Sequence, residues 1–313
     1  MAYPIDKKLV VGISSNALFD LKQEDDIFKD QGLDAYRQYQ NENKATILQK
    51  GVAFPFIKRF LNINNVYSKE QPVEVVLLSR NSPETGIRAF NSIKEYGLDI
   101  TRAAFMSGGS AIKYIEAFNI SLFLSINESD VRNAVNQGLP AGRILQADIH
   151  DEEGDDFELR VAFDFDGVIA NDEAERVYKE KGLQEYHKYE TEHSAEELGA
   201  GPLGDFFKKL SYFQKLEAKK KHKDSSYKKI LKTAIVTARN APAHTRAINT
   251  LNAWGVDVDE MFLLGGIEKS RILNVLKPHL YFDDQVVHLD TGATKDIPFV
   301  HIPFGIANEQ KTS

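Results

Sequence analysis

Two kinds of apolar pattern alternate along this chain. Short blocks of aliphatic, β-branched and aromatic residues stand out from a polar background. They are Leu9-Val10-Val11-Gly12-Ile13, Val73 to Leu78, Phe105 to Gly109, Ile120 to Ile126, Leu159-Arg160-Val161-Ala162-Phe163, Ala234-Ile235-Val236-Thr237 and Leu280-Tyr281-Phe282. Such blocks, bounded by turn residues, read as buried strands. Between them apolar residues recur at helical spacing. One such stretch runs from Gln23 to about Phe60 with breaks near Gly32 and Gly51, and another leads from Ser82-Pro83 to Tyr96. Strand and helix alternate, which predicts an α/β fold with a parallel sheet and crossover helices.

The pattern also repeats. Phe28-Lys29-Asp30-Gln31-Gly32-Leu33-Asp34-Ala35-Tyr36 matches Tyr178-Lys179-Glu180-Lys181-Gly182-Leu183-Gln184-Glu185-Tyr186 at 178 − 28 = 150. The same shift pairs Tyr39 with Tyr189, Gly51 with Gly201 and Phe56 with Phe206. Arg80-Asn81-Ser82-Pro83 matches Arg239-Asn240-Ala241-Pro242 at 239 − 80 = 159, and Gly108-Gly109 matches Gly265-Gly266 at 265 − 108 = 157. Collinear matches with small drift predict an internal duplication into halves 1–150 and 151–313. The shift grows between Lys208 and Arg239, so an insertion is expected there. It holds the basic tract Lys219-Lys220-Lys221-His222-Lys223, read as a solvated helix end or loop.

Composition narrows the class. The 313 residues carry a net charge of −7, so no global basic field favours nucleic acid or an anionic membrane. Absence of cysteine excludes disulfides and thiol catalysis. The N-terminus lacks a long apolar core and no run could span a bilayer, so a soluble cytoplasmic protein is expected.

The chemistry-bearing residues lie in the second half. Asp164 and Asp166 follow a buried strand, and residues i and i+2 of an extended segment face one way. Two close carboxylates need a cation or a shared proton. Thr237 ends a strand with a hydroxyl, Lys269 follows Gly265-Gly266-Ile267-Glu268, and Asp283-Asp284 end another strand in a pair suited to Mg²⁺. At the shifts above, Ser14 and Asn16 face Asp164 and Asp166, and Leu78 faces Thr237. Ile112 faces Lys269, and Ile126 and Asn127 face Asp283 and Asp284. The first half therefore reads as a degenerate partner without the charged groups.

In order and spacing these elements resemble the haloacid dehalogenase-like superfamily of aspartate-nucleophile phosphatases. Phe163 to Asp166, Asn171 to Glu175, Val236 to Arg239, Trp254-Gly255 and Phe282 to Gln285 resemble one member, the cytosolic 5′-nucleotidase type I family. Gly12 to Asp20 resembles that family's N-terminal half. The resemblance implies two Rossmann-like halves, with a mainly helical cap at about 170–232 in the second. It implies Asp164 as nucleophile, Asp166 as general acid and base, and Thr237 and Lys269 as phosphoryl holders. It implies Mg²⁺ held by Asp164, the main-chain carbonyl of Asp166 and Asp283, with Asp284 acting through water. A cap implies a small substrate shielded from water.

Asp172, Glu175, Arg239 and Asn240 are candidate substrate ligands, whereas Tyr186, Tyr189, Phe206 and Phe207 read as cap core. The expected activity is hydrolysis of a nucleoside 5′-monophosphate to nucleoside and phosphate through an aspartyl-phosphate. Alternatives are a phosphatase of another small phosphoester and a nucleotide-sensing protein. A regulatory nucleotide in the first half is weighed against packing alone, its helical insertion is considered as a wall of the active-site entrance, and a homo-oligomer is left open.

Overall fold

A computed structural model of the chain describes residues 3–83, 86–145, 147, 157–288 and 296–309. In chain order its strands are β1 (Leu9–Ser14), β2 (Phe19–Asp20), β3 (Gln49–Lys50), β4 (Val73–Ser79), β5 (Arg102–Phe105), β6 (Ile120–Ser125), β7 (Ala141–Ile144), β8 (Leu159–Phe163), β9 (Leu231–Thr237), β10 (Glu260–Leu263), β11 (Leu280–Asp283) and β12 (Phe299–His301). The α-helices are α1 (Ser15–Leu18), α2 (Lys22–Glu42), α3 (Phe54–Val66), α4 (Gly86–Glu95), α5 (Glu128–Asn136), α6 (Glu173–Glu192), α7 (Gly204–Lys223), α8 (His244–Ala253) and α9 (Lys269–Leu276). Among the described residues, no helix is long and apolar enough to cross a membrane.

One mixed sheet carries the fold, in the order β5-β4-β1-β6-β7-β12-β11-β8-β9-β10. Neighbours run parallel except at the β7–β12 seam, which is antiparallel. Both faces are covered, which is why the central strands read as continuous apolar runs. Leu9, Val11 and Ile13 point into a core shared with Leu159, Val161 and Phe163 and with α3 and α7, so one face has a single hydrophobic layer across the seam. The other face has two separate cores, one around Val10, Val131 and Phe123 and one around Ala162, Leu273 and Tyr281.

The two half-sheets have the same order, with β1, β4, β5, β6 and β7 in the places of β8, β9, β10, β11 and β12. Their registers agree as well. Leu9 opposes Val73 as Leu159 opposes Leu231, and Ile13 opposes Leu124 as Phe163 opposes Phe282. The first strands are thus offset by 150 and the later ones by 231 − 73 = 158. At the seam His301 opposes Arg143, and 301 − 143 = 158 again, so a pseudo-twofold axis passes through that pair. Gly32 (φ 82°) and Gly182 (φ 83°) bend α2 and α6 at the same point, in a conformation only glycine adopts cheaply.

This register corrects the correspondences read from residue type. Ser79, not Leu78, occupies the place of Thr237, and Ser125 and Ile126 those of Asp283 and Asp284. Hydrogen bonds decide it. The Asn81 amide donates to Ser79 Oγ at 3.1 Å as the Arg239 amide does to Thr237 Oγ1 at 3.2 Å. The Asn127 amide donates to Ser125 Oγ at 3.1 Å as the Gln285 amide does to Asp283 Oδ1 at 2.8 Å. Ser107 (φ 47°) and Gly108 (φ 89°) trace the turn of Gly265 (φ 54°) and Gly266 (φ 94°), which puts Ala111 rather than Ile112 at the place of Lys269. Matching glycine to glycine and arginine to arginine had slipped the alignment by one residue. The same positive φ angles end the strand expected over Phe105 to Gly109, so β5 lies earlier, at Arg102–Phe105.

Within the segment 170–232, α7 is a crossover helix packed on the sheet through Phe206, Phe207, Leu210 and Phe213, while α6 stands off it. The basic tract is the last turn of α7. Its Lys220 reaches the first half, donating to the Val66 carbonyl at 3.2 Å and lying 4.2 Å over the Tyr67 ring. The helical insertion of the first half, α2, lines its own half's cleft through Phe28, Leu33 and Tyr36 instead of walling the second-half site.

Candidate active site

In a parallel sheet, the loops at the carboxyl ends of the strands shape the cleft. Because β8 lies between β9 and β11, Asp164 just after β8, Thr237 at the end of β9 and Asp283 at the end of β11 come side by side. Lys269, the first residue of α9, reaches between two of them. Its Nζ donates to Asp164 Oδ2 at 2.6 Å and to Asp283 Oδ2 at 2.7 Å, all three residues being buried. The Tyr281 hydroxyl donates to the same Asp283 oxygen at 2.7 Å, and the Phe165 amide to Asp164 Oδ1 at 2.6 Å.

Asp164, Asp283 and Asp284 present oxygens within 4.8 Å of one another. Burial raises the pKa of Asp164 to about 7 against the pull of Lys269. It raises Asp284 to about 10, with the charges of Asp164, Asp283 and Glu175 adding to the effect. For Lys269, burial alone would lower the pKa, but the Asp164 and Asp283 carboxylates outweigh it and hold the ammonium above its ordinary value. Both carboxylate oxygens of Asp284 are buried without a hydrogen-bond partner. Unpartnered buried carboxylate oxygens are costly. An oxygen-only donor set beside a single ammonium fits a hard divalent cation such as Mg²⁺. Gly167 (φ 73°) lets the loop pass there, since a Cβ on it would sit 2.7 Å from the Asp284 carboxylate.

Asp166 turns the other way. Its carboxylate receives two hydrogen bonds from Arg239, each 2.7 Å long, so it lies outside the three-carboxylate group; its expected metal contact is through the main chain. Arg239 is buried and also pairs with the fully buried Glu190 and the Ala243 carbonyl. Burial would lower the Arg239 pKa, but Asp166 outweighs it and the guanidinium stays charged. Glu190 in turn pairs with Arg246 at 3.0 Å, and Arg246 with Glu173 at 3.0 Å.

The candidate substrate residues divide. Glu175 borders the carboxylate group: one oxygen accepts from Gln285 Nε2 at 2.8 Å and meets Lys179 at 2.8 Å, while the other is buried and unpartnered. Asn240 packs beside Gly265 and meets His187 at 3.3 Å. Arg239 holds Asp166. Asp172 accepts from the Ile306 amide at 2.7 Å and from Arg176 at 2.9 Å, which ties it to the C-terminal loop. Phe206 and Phe207 are core, Tyr189 donates to Glu173 at 2.6 Å, and Tyr186 packs with Ala174 and Ala243.

A family model described as 5′-nucleotidase matches residues 1–309. The chain belongs to the 5′-nucleotidase family. Human cytosolic 5′-nucleotidase 1B is 34% identical to it over 288 residues, which are 90% of this chain and 47% of that protein, so the chain spans about half the length of this relative. No solved structure matches it. For this 5′-nucleotidase family member, the sequence reading left out Glu190, Arg246, Glu173, Tyr281 and Gln285. The repeat carried a signal for two of them: Glu190 stands 150 residues after the buried Gln40, and Arg246 stands 158 after Arg88.

Proposed function

We propose that the second half hydrolyses nucleoside 5′-monophosphates with Mg²⁺, and that the chain arose by duplication of one α/β unit. The observation that carries the reading is the buried carboxylate group at the carboxyl ends of β8 and β11, with Lys269 bridging Asp164 and Asp283 and both oxygens of Asp284 left free. Family membership and the name of the human relative support the substrate class and a cytoplasmic setting. Matching strand order and register support the duplication.

Asp164 attacks the phosphorus, the bond to the ribose 5′-oxygen breaks, and an aspartyl-phosphate forms. Asp166, held by Arg239 at rest, turns one oxygen away from the guanidinium to carry a proton, and gives that proton to the departing oxygen. It then takes a proton from the water that cleaves the acyl phosphate, regenerating Asp164 and releasing phosphate. Lys269 and Thr237 hold the phosphoryl oxygens. Mg²⁺ held by Asp164, the Asp166 carbonyl, Asp283 and Asp284 would offset the charge that gathers during transfer. Residues 151–313 form the catalytic half with α6 as its cap, and residues 1–150 the non-catalytic half.

The test is phosphate release across nucleoside monophosphates and sugar phosphates, with Mg²⁺ or with EDTA. Mg²⁺-dependent release from nucleotides is the expected result. Preference for a sugar phosphate would replace the substrate while leaving the chemistry, and activity undiminished by EDTA would remove the metal.

A further inference from the structure

The first half holds a cleft of about 590 Å³ at the carboxyl ends of its own strands. That is within the ~300–1,000 Å³ usual for small-ligand sites. Its floor is at the places of the second-half catalytic groups and carries no fixed charge there. Ser14, Asn16, Ser79, Ala111, Ser125 and Ile126 stand where Asp164, Asp166, Thr237, Lys269, Asp283 and Asp284 stand. The floor groups are already partnered: Ser14 Oγ donates to Asn16 Oδ1 at 2.7 Å, and the Ser15 hydroxyl meets that of the buried Ser79 at 3.1 Å. Arg80, at the cleft, is neutralised by Asp130. Among the described residues, the three-carboxylate group occurs in the second half alone.

The roof is different, because it is kept. Phe28 and Tyr36 on α2 meet edge-on at 5.9 Å and 84°, and Tyr178 and Tyr186 on α6 repeat this at 6.0 Å and 75°. In each half one ring of the pair and a nearby leucine remain half exposed: Phe28 (51%) and Leu33 (46%), Tyr178 (49%) and Leu183 (56%). Large apolar side chains left open over this cleft, with counterparts half exposed at the matching places of α6, are surface kept for a ligand rather than for the core.

We propose that the first-half cleft is a second, non-catalytic site that takes a nucleoside without a metal ion. The proposal rests on the reading that the second-half cleft takes a nucleoside monophosphate, since the two share the roof and differ in the floor. The aromatic roof offers a face for a base. The neutral hydroxyl and amide floor suits ribose hydroxyls, and it has neither the carboxylates that would hold a metal nor a counterpart of Lys269. Lys29, Arg37 and Asp25 are the remaining charged groups of the lining, and they come from α2, not from the floor.

The experiment is calorimetry on the full chain carrying Asp164→Asn, in EDTA, with adenosine, guanosine, cytidine, uridine and their 5′-monophosphates as probes. At least one nucleoside is expected to bind. Phe28→Ala with Leu33→Ala, both at exposed positions, should weaken it about tenfold or more, as loss of base stacking does. The mirror pair Tyr178→Ala with Leu183→Ala should leave that binding in place. No binding by any probe, or loss only in the mirror pair, overturns the proposal. So does a monophosphate that binds far tighter than its nucleoside and loses the gain on Arg80→Ala, which would mark phosphate recognition instead. Phosphate release by the wild-type chain with Mg²⁺ is scored separately, so a failed hydrolysis reading and a failed second site give different results.

Discussion

Asp166, Arg239 and Glu190 form a buried charged chain in the second half, and the same three places in the first half hold Asn16, Asn81 and Gln40. Each ion has a neutral amide as its counterpart. Changing one alone would leave a bare charge in a dry interior, which is far worse than losing the pair together. Arg88 and Arg246 occupy one place in both halves, because each keeps a carboxylate: Glu24 at 2.5 Å for Arg88, and Glu190 and Glu173 for Arg246. The scaffold around them hardly differs. Ser92 Oγ accepts the Leu48 amide at 2.9 Å as Thr250 Oγ1 accepts that of Leu198 at 3.0 Å. Asn91 donates to the Lys44 carbonyl at 2.8 Å as Asn249 does to that of Ser194 at 2.8 Å. Fold and proposed chemistry can thus be told apart within one chain: what both halves share holds the sheet and helices, and what only one has is what we propose for turnover.

The largest test of that division is Asp164→Asn, which should reduce phosphate release to background because an amide is not a nucleophile. Substantial turnover in this variant, followed by phosphate release, would dissolve the contrast between the halves. Next comes Glu190→Gln, which installs the first-half amide under two buried arginines. It should cost about 3–5 kcal/mol in urea unfolding, because it removes the carboxylate that Arg239 and Arg246 share. A cost no larger than that of an ordinary surface substitution would mean that the charged chain is not a unit. Mg²⁺ at about a hundred times its dissociation constant should stabilise the wild type by about 2.7 kcal/mol, read as a rise in melting temperature. Asp284→Ala should abolish the rise; a rise that persists would move the cation elsewhere. The smallest effects should be matched. Ser92→Ala and Thr250→Ala each strand one buried amide, at about 1–3 kcal/mol, and clearly unequal losses would show that the scaffolds are less alike than their hydrogen bonds.

Much of this was legible beforehand, for definite reasons. Strands buried on both faces announce themselves as apolar runs, so β1, β4, β6, β8, β9 and β11 stood out, and Asp164, Thr237 and Asp283 could be placed at strand ends. The edge strand β5 is only half-buried and was read too late in the chain, at Phe105 to Gly109. The seam strands β7 and β12 are short and were not read at all. Correspondence between the halves was found through residue identity, which fails by one position where the conserved quantity is a backbone turn, as at Ser107-Gly108. Glu190, the partner of Arg239 on α6, lies 49 positions earlier in sequence, and no local pattern ties a helical glutamate to a strand-end arginine.

The antiparallel seam at Arg143 and His301 has a consequence for traffic. Strands of the two halves run in opposite directions, so their carboxyl ends, and with them the two clefts, open on opposite margins of the sheet. A molecule released from one cannot slip into the other; it must diffuse round the protein. Any influence of one cleft on the other must therefore pass as a mechanical displacement through the strands and the α3–α7 layer that both halves share, not by handing over a ligand.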